Sequence, residues 1–258
     1  MKSRLLLAFF LLSFSAANAQ KTYNHGVFWG RVILADTINS KFKWELYLQK
    51  RTQTTSANSA NIFSAPHFFS IWPWLSYKVS KNTKVSVSPI AYFDSHLFYN
   101  SPEEVKAEGV KEYRTSLRLE NEQKFRLFNY SNRYSLEYRL RDFKHVKNFE
   151  PNWRVRYMLK LEKPFLNVLS EDKPVSVFVS DEVFVQFGRA VRNNPNIFDQ
   201  NRINFGASYE AVKNVKFSAS YLNIIQQRVS GEEIDNAHAL WLVLTLDNFF
   251  SQFKKKKS

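Results

Sequence analysis

The chain has 258 residues, a formal net charge of +14, a pI near 9.8, 44% hydrophobic and 16% aromatic residues, and no cysteine. The missing cysteines exclude a disulfide scaffold, a thiolate metal site and a lipid-acceptor thiol. So large a surplus of Lys and Arg suits nucleic acid in a cytoplasmic protein, and anionic lipid or lipopolysaccharide phosphates in an exported one.

The opening residues favour export. "MKSRLLLAFFLLSFSAANAQ" sets Lys2 and Arg4 before an apolar run from Leu5 and closes on Ala17-Asn18-Ala19, the pattern of a secretory signal peptide over residues 1–19. Its removal leaves 35 basic and 23 acidic residues, a net charge of +12. The expected partners are then outer-membrane lipids or lipopolysaccharide, with barrel-assembly machinery during biogenesis and no nucleic acid. Past residue 20 no apolar run reaches the roughly 18 residues that a spanning helix needs, so any membrane crossing must use strands.

Period-two alternation recurs almost throughout. The first hairpin runs from Val27 to about Ala35, turns at "DTINS" and returns through "KFKWELYLQKR". "FFSIWPWLSYKVS" and "KVSVSPIAYF" flank "KNT", and "EYRTSLRLENEQKF" and "RYSLEYRLRDF" flank "RLFNYSN". "NWRVRYMLKLE" is followed by "KPVSVFVSDEVFVQF"; "NRINFGASYEA" and "VKFSASYLNIIQQR" flank "VKN"; "HALWLVLTLDNFF" ends the series. This predicts about eleven strands of roughly 9–15 residues each. Short connections interleave with longer polar ones at 52–65, 97–110, 144–151, 190–199 and 229–237, with "LNVLSEDK" fitting the short set poorly. The expectation is an all-β chain, a single antiparallel up-and-down transmembrane β-barrel of about 10 to 12 strands. The barrel domain covers 20–253, and "KKKKS" at 254–258 is a basic tail.

Alternation alone leaves open which face is inside. A soluble lipocalin-like barrel buries the apolar phase, and a membrane barrel turns it outward. Three features favour the membrane arrangement. The strands are long enough to cross a bilayer. Aromatics gather near strand ends (Tyr92, Phe93, Phe98, Tyr99, Phe128, Tyr130, Phe249, Phe250), as in interfacial girdles. The polar phase mixes signs, so that neighbouring strands can pair charges in a lumen. Parity is awkward, because the short turns leave the first strand starting at the long-loop end; either a strand lies within 54–70 or the N-terminal segment threads the lumen.

"EYRTSLRLENEQKF", "RYSLEYRLRDF", "WRVRYMLKLEKPF", "VFVSDEVFVQF", "FDQNRINFGASYEAVKNVKFSASYLNIIQQR" and "DNAHALWLVLTLD" resemble the family catalogued as domain of unknown function 2490. The resemblance covers most of the chain and implies a Gram-negative outer-membrane β-barrel, without supplying a reaction. Two features depart from barrel habits: only six glycines, and lysines after "DNFFSQF" in place of a terminal aromatic.

The charged ladder supplies the candidate binding residues: Arg114, Arg118, Glu120, Arg133, Glu137, Arg139, Arg141, Arg154, Arg156, Glu182 and Arg202. It can act as paired filling of the barrel, or as a polar passage or pocket for a small anionic or amphipathic solute, since guanidinium recognises carboxylate and phosphate bidentately. Envelope structure is a further role of this kind. "SDE" at 180–182 is expected to place a carboxylate pair in the lumen. No enzyme activity, metal or cofactor is expected: the histidines are scattered without ligand spacing, and Ser95 and His96, the one suggestion of a lipid hydrolase, are adjacent and so point to opposite faces of a strand.

Overall fold

In the computed structural model, which describes residues 21–166, 168–169, 173–194, 196–228 and 233–251, the alternation of residues 152–162 resolves into two faces of unlike burial. Arg154 and Arg156 are 5% and 6% exposed, while Trp153, Val155 and Tyr157 are 39%, 40% and 39% exposed. Successive side chains on a strand point to opposite faces, so here the ions point inward and the apolar side chains outward. This is the reverse of a soluble barrel with an apolar core. The signal peptide at 1–19 and the basic tail at 254–258 lie outside the described residues.

Eleven strands form one closed barrel: β1 (Lys21–Thr37), β2 (Phe42–Gln53), β3 (Ala65–Lys78), β4 (Thr83–Ser95), β5 (Val110–Lys124), β6 (Asn129–Asp142), β7 (Glu150–Phe165), β8 (Val175–Phe187), β9 (Phe198–Val212), β10 (Val215–Gln227) and β11 (Glu233–Leu246). Closure leaves no sheet edge unpaired. The described residues contain no helix long and apolar enough to cross a membrane.

Consecutive strands pair antiparallel, but β1 and β11 close the barrel in parallel, from Lys21 opposite Glu233 to Leu34 opposite Leu246. A wholly antiparallel barrel is therefore corrected at this seam. An odd number of strands closes only if one neighbouring pair runs the same way, and this resolves the parity problem. No further strand lies within residues 54–64, and residues 21–26 do not thread the lumen but extend β1 along β11. The strand ends on either side of 38–41, 79–82, 125–128, 166–174 and 213–214 lie at one rim, and those on either side of 54–64, 96–109, 143–149, 188–197 and 228–232 lie at the other. The two-residue turn is closed by Asn214 at a φ of 70°, a conformation that Asn tolerates better than most residues.

The outer surface carries ring pairs such as Tyr92–Tyr113, Tyr134–Tyr157 and Tyr138–Trp153. Not every aromatic near a strand end joins them. Phe93, Phe98 and Tyr99 are 1%, 2% and 3% exposed. Phe93 lies in the inward phase of β4, while Phe98 and Tyr99 belong to a loop folded into the barrel mouth, which corrects the girdle expectation for these three.

Candidate functional site

Register places the inward charges in transverse rows. Ser116, Glu137, Arg154 and Gln186 align across β5–β8, and Glu120, Arg133, Met158, Glu182 and Arg202 align across β5–β9. Cross-strand neighbours on one face are close enough to interact, and from these rows the lumen divides into three levels.

Under the long connections it is stoppered. The loop after β4 turns Phe98 inward, where its ring stacks between His67 at 4.3 Å and His25 at 4.8 Å. Gln53 fixes this loop by donating to the Leu97 carbonyl at 2.8 Å and accepting from the Tyr99 amide at 3.2 Å. Arg228 clamps it from the other side, donating to Glu104 at 2.6 Å and to the Phe98 carbonyl at 3.3 Å.

The second level is a lattice of ion pairs. Arg139 binds Glu112 bidentately, at 2.9 Å through Nε and 2.7 Å through Nη2, and Arg114 approaches the same carboxylate at 2.6 Å. Glu137, fully buried, accepts from Arg154 at 2.7 Å and Arg156 at 2.6 Å, with Arg114 at 3.3 Å. Arg154 continues to Asp199 at 3.1 Å, and Arg156 to Glu182 at 2.7 Å, where Arg133 joins at 2.9 Å. Charge-assisted bonds of this kind offset the cost of burying ions only when both partners are present.

The third level, toward the short-turn rim, is a chamber of about 280 Å³. Its cations outnumber its carboxylates: Arg31, Arg118, Arg202 and Lys216 line it beside Arg133, Arg156 and Lys160, while Glu182 is the carboxylate in its wall. Among the described residues Arg31, Arg118 and Arg202 form no ion pair. Arg31 donates to Gln49 at 2.6 Å and lies 5.0 Å from the Trp241 ring. Arg202 donates to Gln200 at 2.7 Å. Arg118 is 4% exposed and stacks 3.8 Å from the Trp74 ring, and its Nε has no hydrogen-bond partner. Arg133, Met158 and Lys160 also line a wider mouth of about 640 Å³, whose rim carries Lys41, Lys78, Lys81, Lys84 and Lys124.

All eleven candidate residues face the lumen, in different company. Arg114, Glu137, Arg139, Arg141 and Arg154 belong to the lattice; Arg133, Arg156 and Glu182 join lattice to chamber; Arg118 and Arg202 face the chamber; Glu120 pairs with Lys84 at 2.9 Å in the mouth. The expected lumen pair at 180–182 is corrected: Glu182 is inside, but Asp181 points outward and accepts from Asn201 at 2.6 Å, because neighbours on a strand cannot share a face. Sequence reasoning missed Arg31, Glu112 and Asp199. Glu112 was within reach, being two residues before Arg114 in the same phase. Ser95 donates to the Val110 carbonyl at 3.4 Å.

The model of a family described as "Protein of unknown function (DUF2490)" matches residues 27–235. The chain belongs to this family. No curated protein and no solved structure matches. In this DUF2490 chain the matched segment runs from β1 to the start of β11 and contains every candidate residue; Trp241 and Val243 of the chamber lie beyond it.

Proposed function

We propose that this protein is an outer-membrane β-barrel that binds a small anion in a one-ended lumen, entered from the short-turn rim. The outward apolar faces, the strand lengths and the alternation of short and long connections support a membrane setting with the short turns in the periplasm. Outer-membrane lipids surround it, and barrel-assembly machinery inserts it. The observation that carries the binding role is the group of guanidiniums, Arg31, Arg118 and Arg202, that face the chamber with no carboxylate at ion-pair distance, Glu182, the register neighbour of Arg202, being taken up by Arg133 and Arg156. Structural filling calls for matched charges; an unmatched set suits an incoming anion. The stopper at Phe98 argues against passage, and no reaction is assigned.

Detergent-extracted protein reconstituted in a planar bilayer is expected to show no conductance steps, and inorganic phosphate to bind saturably and less tightly as salt rises. Loss of a hydrogen bond to a charged group is worth about 1.5–3 kcal/mol, so Arg118→Gln should weaken phosphate binding by roughly ten- to hundredfold. Recovery in the soluble periplasm without detergent contradicts the membrane setting, and phosphate binding unaffected by Arg118→Gln contradicts the site.

A further inference from the structure

The lumen is not polar all round. In "ALWLVLTL", residues 239–246, both phases are apolar, which is how a strand reads when neither face meets water. Leu240 is 46% exposed on the outside, whereas Ala239 is buried, and Trp241 and Val243 line the chamber. On β10, Leu222 and Ile224 are each 1% exposed and continue the same stripe.

The stripe has two halves in unlike situations. Its upper half is covered, since Val27, Trp29, Leu222, Ile224, Ala237 and Ala239 pack with Phe98 of the stopper into one apolar cluster, against which one side of Trp241 rests. Its lower half, the half-buried Trp241 and Val243, faces the cavity of about 280 Å³, with Arg118, Arg133 and Arg156 contributed to the lining by β5–β7. A purely ionic ligand engages the guanidiniums and leaves this apolar wall against water, which is unfavourable in proportion to its area. The cavity lies at the small end of ligand pockets, which sets the apolar part at one short chain or ring.

We infer that the chamber's ligand is a small amphipathic carboxylate, its head among Arg118, Arg133 and Arg202 and its apolar body on Trp241 and Val243, doing below what Phe98 does above. This rests on the anion-binding reading and narrows it.

The test is a homologous series of acetate, butyrate, hexanoate and octanoate, titrated into the full-length protein in lipid nanodiscs with inorganic phosphate as reference. Each buried methylene is worth about 0.8 kcal/mol, so affinity should rise about fourfold per carbon until the chamber is filled. Val243→Asn should weaken octanoate at least tenfold and leave acetate within about twofold, and the near-isosteric Val243→Thr should lower octanoate in the same direction if the first variant does not fold. Arg118→Gln/Arg202→Gln should weaken acetate and octanoate alike, by at least tenfold. A flat series beside saturable phosphate binding overturns the amphipathic ligand and leaves the anion site standing. Absence of binding by phosphate and by every carboxylate overturns both. Octanoate binding of unchanged affinity in the arginine double variant belongs to the bilayer and also overturns the inference.

Discussion

Glu137 is the centre of the charge lattice, and replacing it by Gln tests whether that lattice is a packed, dry filling. The substitution keeps the shape and removes one charge from contact with three guanidiniums, at 2.7 Å from Arg154, 2.6 Å from Arg156 and 3.3 Å from Arg114. Removing one partner of a buried ion pair costs about 3–5 kcal/mol. Each of these arginines keeps a second carboxylate, Arg114 on Glu112, Arg154 on Asp199 and Arg156 on Glu182. The expected loss therefore sits at the lower end, about 3 kcal/mol. Urea unfolding of the vesicle-reconstituted protein, followed by tryptophan fluorescence, measures it. Combining Glu137→Gln with Arg156→Gln should cost less than the sum of the two, by at least about 1 kcal/mol, because the second change removes the charge that the first stranded. A loss below about 1 kcal/mol for Glu137→Gln, the range of exposed pairs, would mean that water reaches the lattice and would refute the reasoning.

The chamber arginines should behave differently: Arg118→Gln/Arg202→Gln is expected to leave the unfolding free energy within about 1 kcal/mol of the parent, since removing unpaired buried charge offsets the weaker attraction to the neighbouring aromatic rings. Phe98→Ala should destabilise by about 3–5 kcal/mol through the cavity it opens, yet bilayer recordings should remain silent because the lattice beneath stays closed. The parallel seam can be tested in a chain that lacks cysteine: Phe28 and Leu240 are register partners, so Phe28→Cys/Leu240→Cys should form a disulfide visible on a non-reducing gel, whereas Phe28→Cys/Leu246→Cys should not. Gly206→Ala should impair folding, seen as loss of the heat-resistant gel species, because an added Cβ would collide with the Ser220 side chain and the Ala219 carbonyl of β10.

Much of the architecture was legible along the chain because a strand's two faces are written in alternating residues. Arg154 and Arg156 against Val155 and Tyr157 record a charged side and an apolar side without reference to any other strand. Connection lengths likewise sorted the two rims, except that 166–174 on the short-turn rim is longer than 143–149 and 228–232 on the other. The site was legible as a set of inward charges, but not as a site, because pairing joins residues far apart in the chain: Arg154 and Asp199 are 45 positions apart, and Arg139 and Glu112 are 27. The aromatics misled for a related reason. Phe98 looks like girdle material beside Tyr92, and only the clamp formed by Gln53 and Arg228 turns it into the barrel.

The sequence by itself therefore determined a β chain with one charged and one apolar phase, about eleven strands and a family of unknown function. Which phase faced inward, the parallel closure of β1 on β11 and the division of the lumen into stopper, lattice and chamber were decided by tertiary structure. The reason is physical. Alternation is a local property of the extended backbone, whereas register, strand count at closure and the balance of guanidinium against carboxylate arise only when eleven strands share one axis.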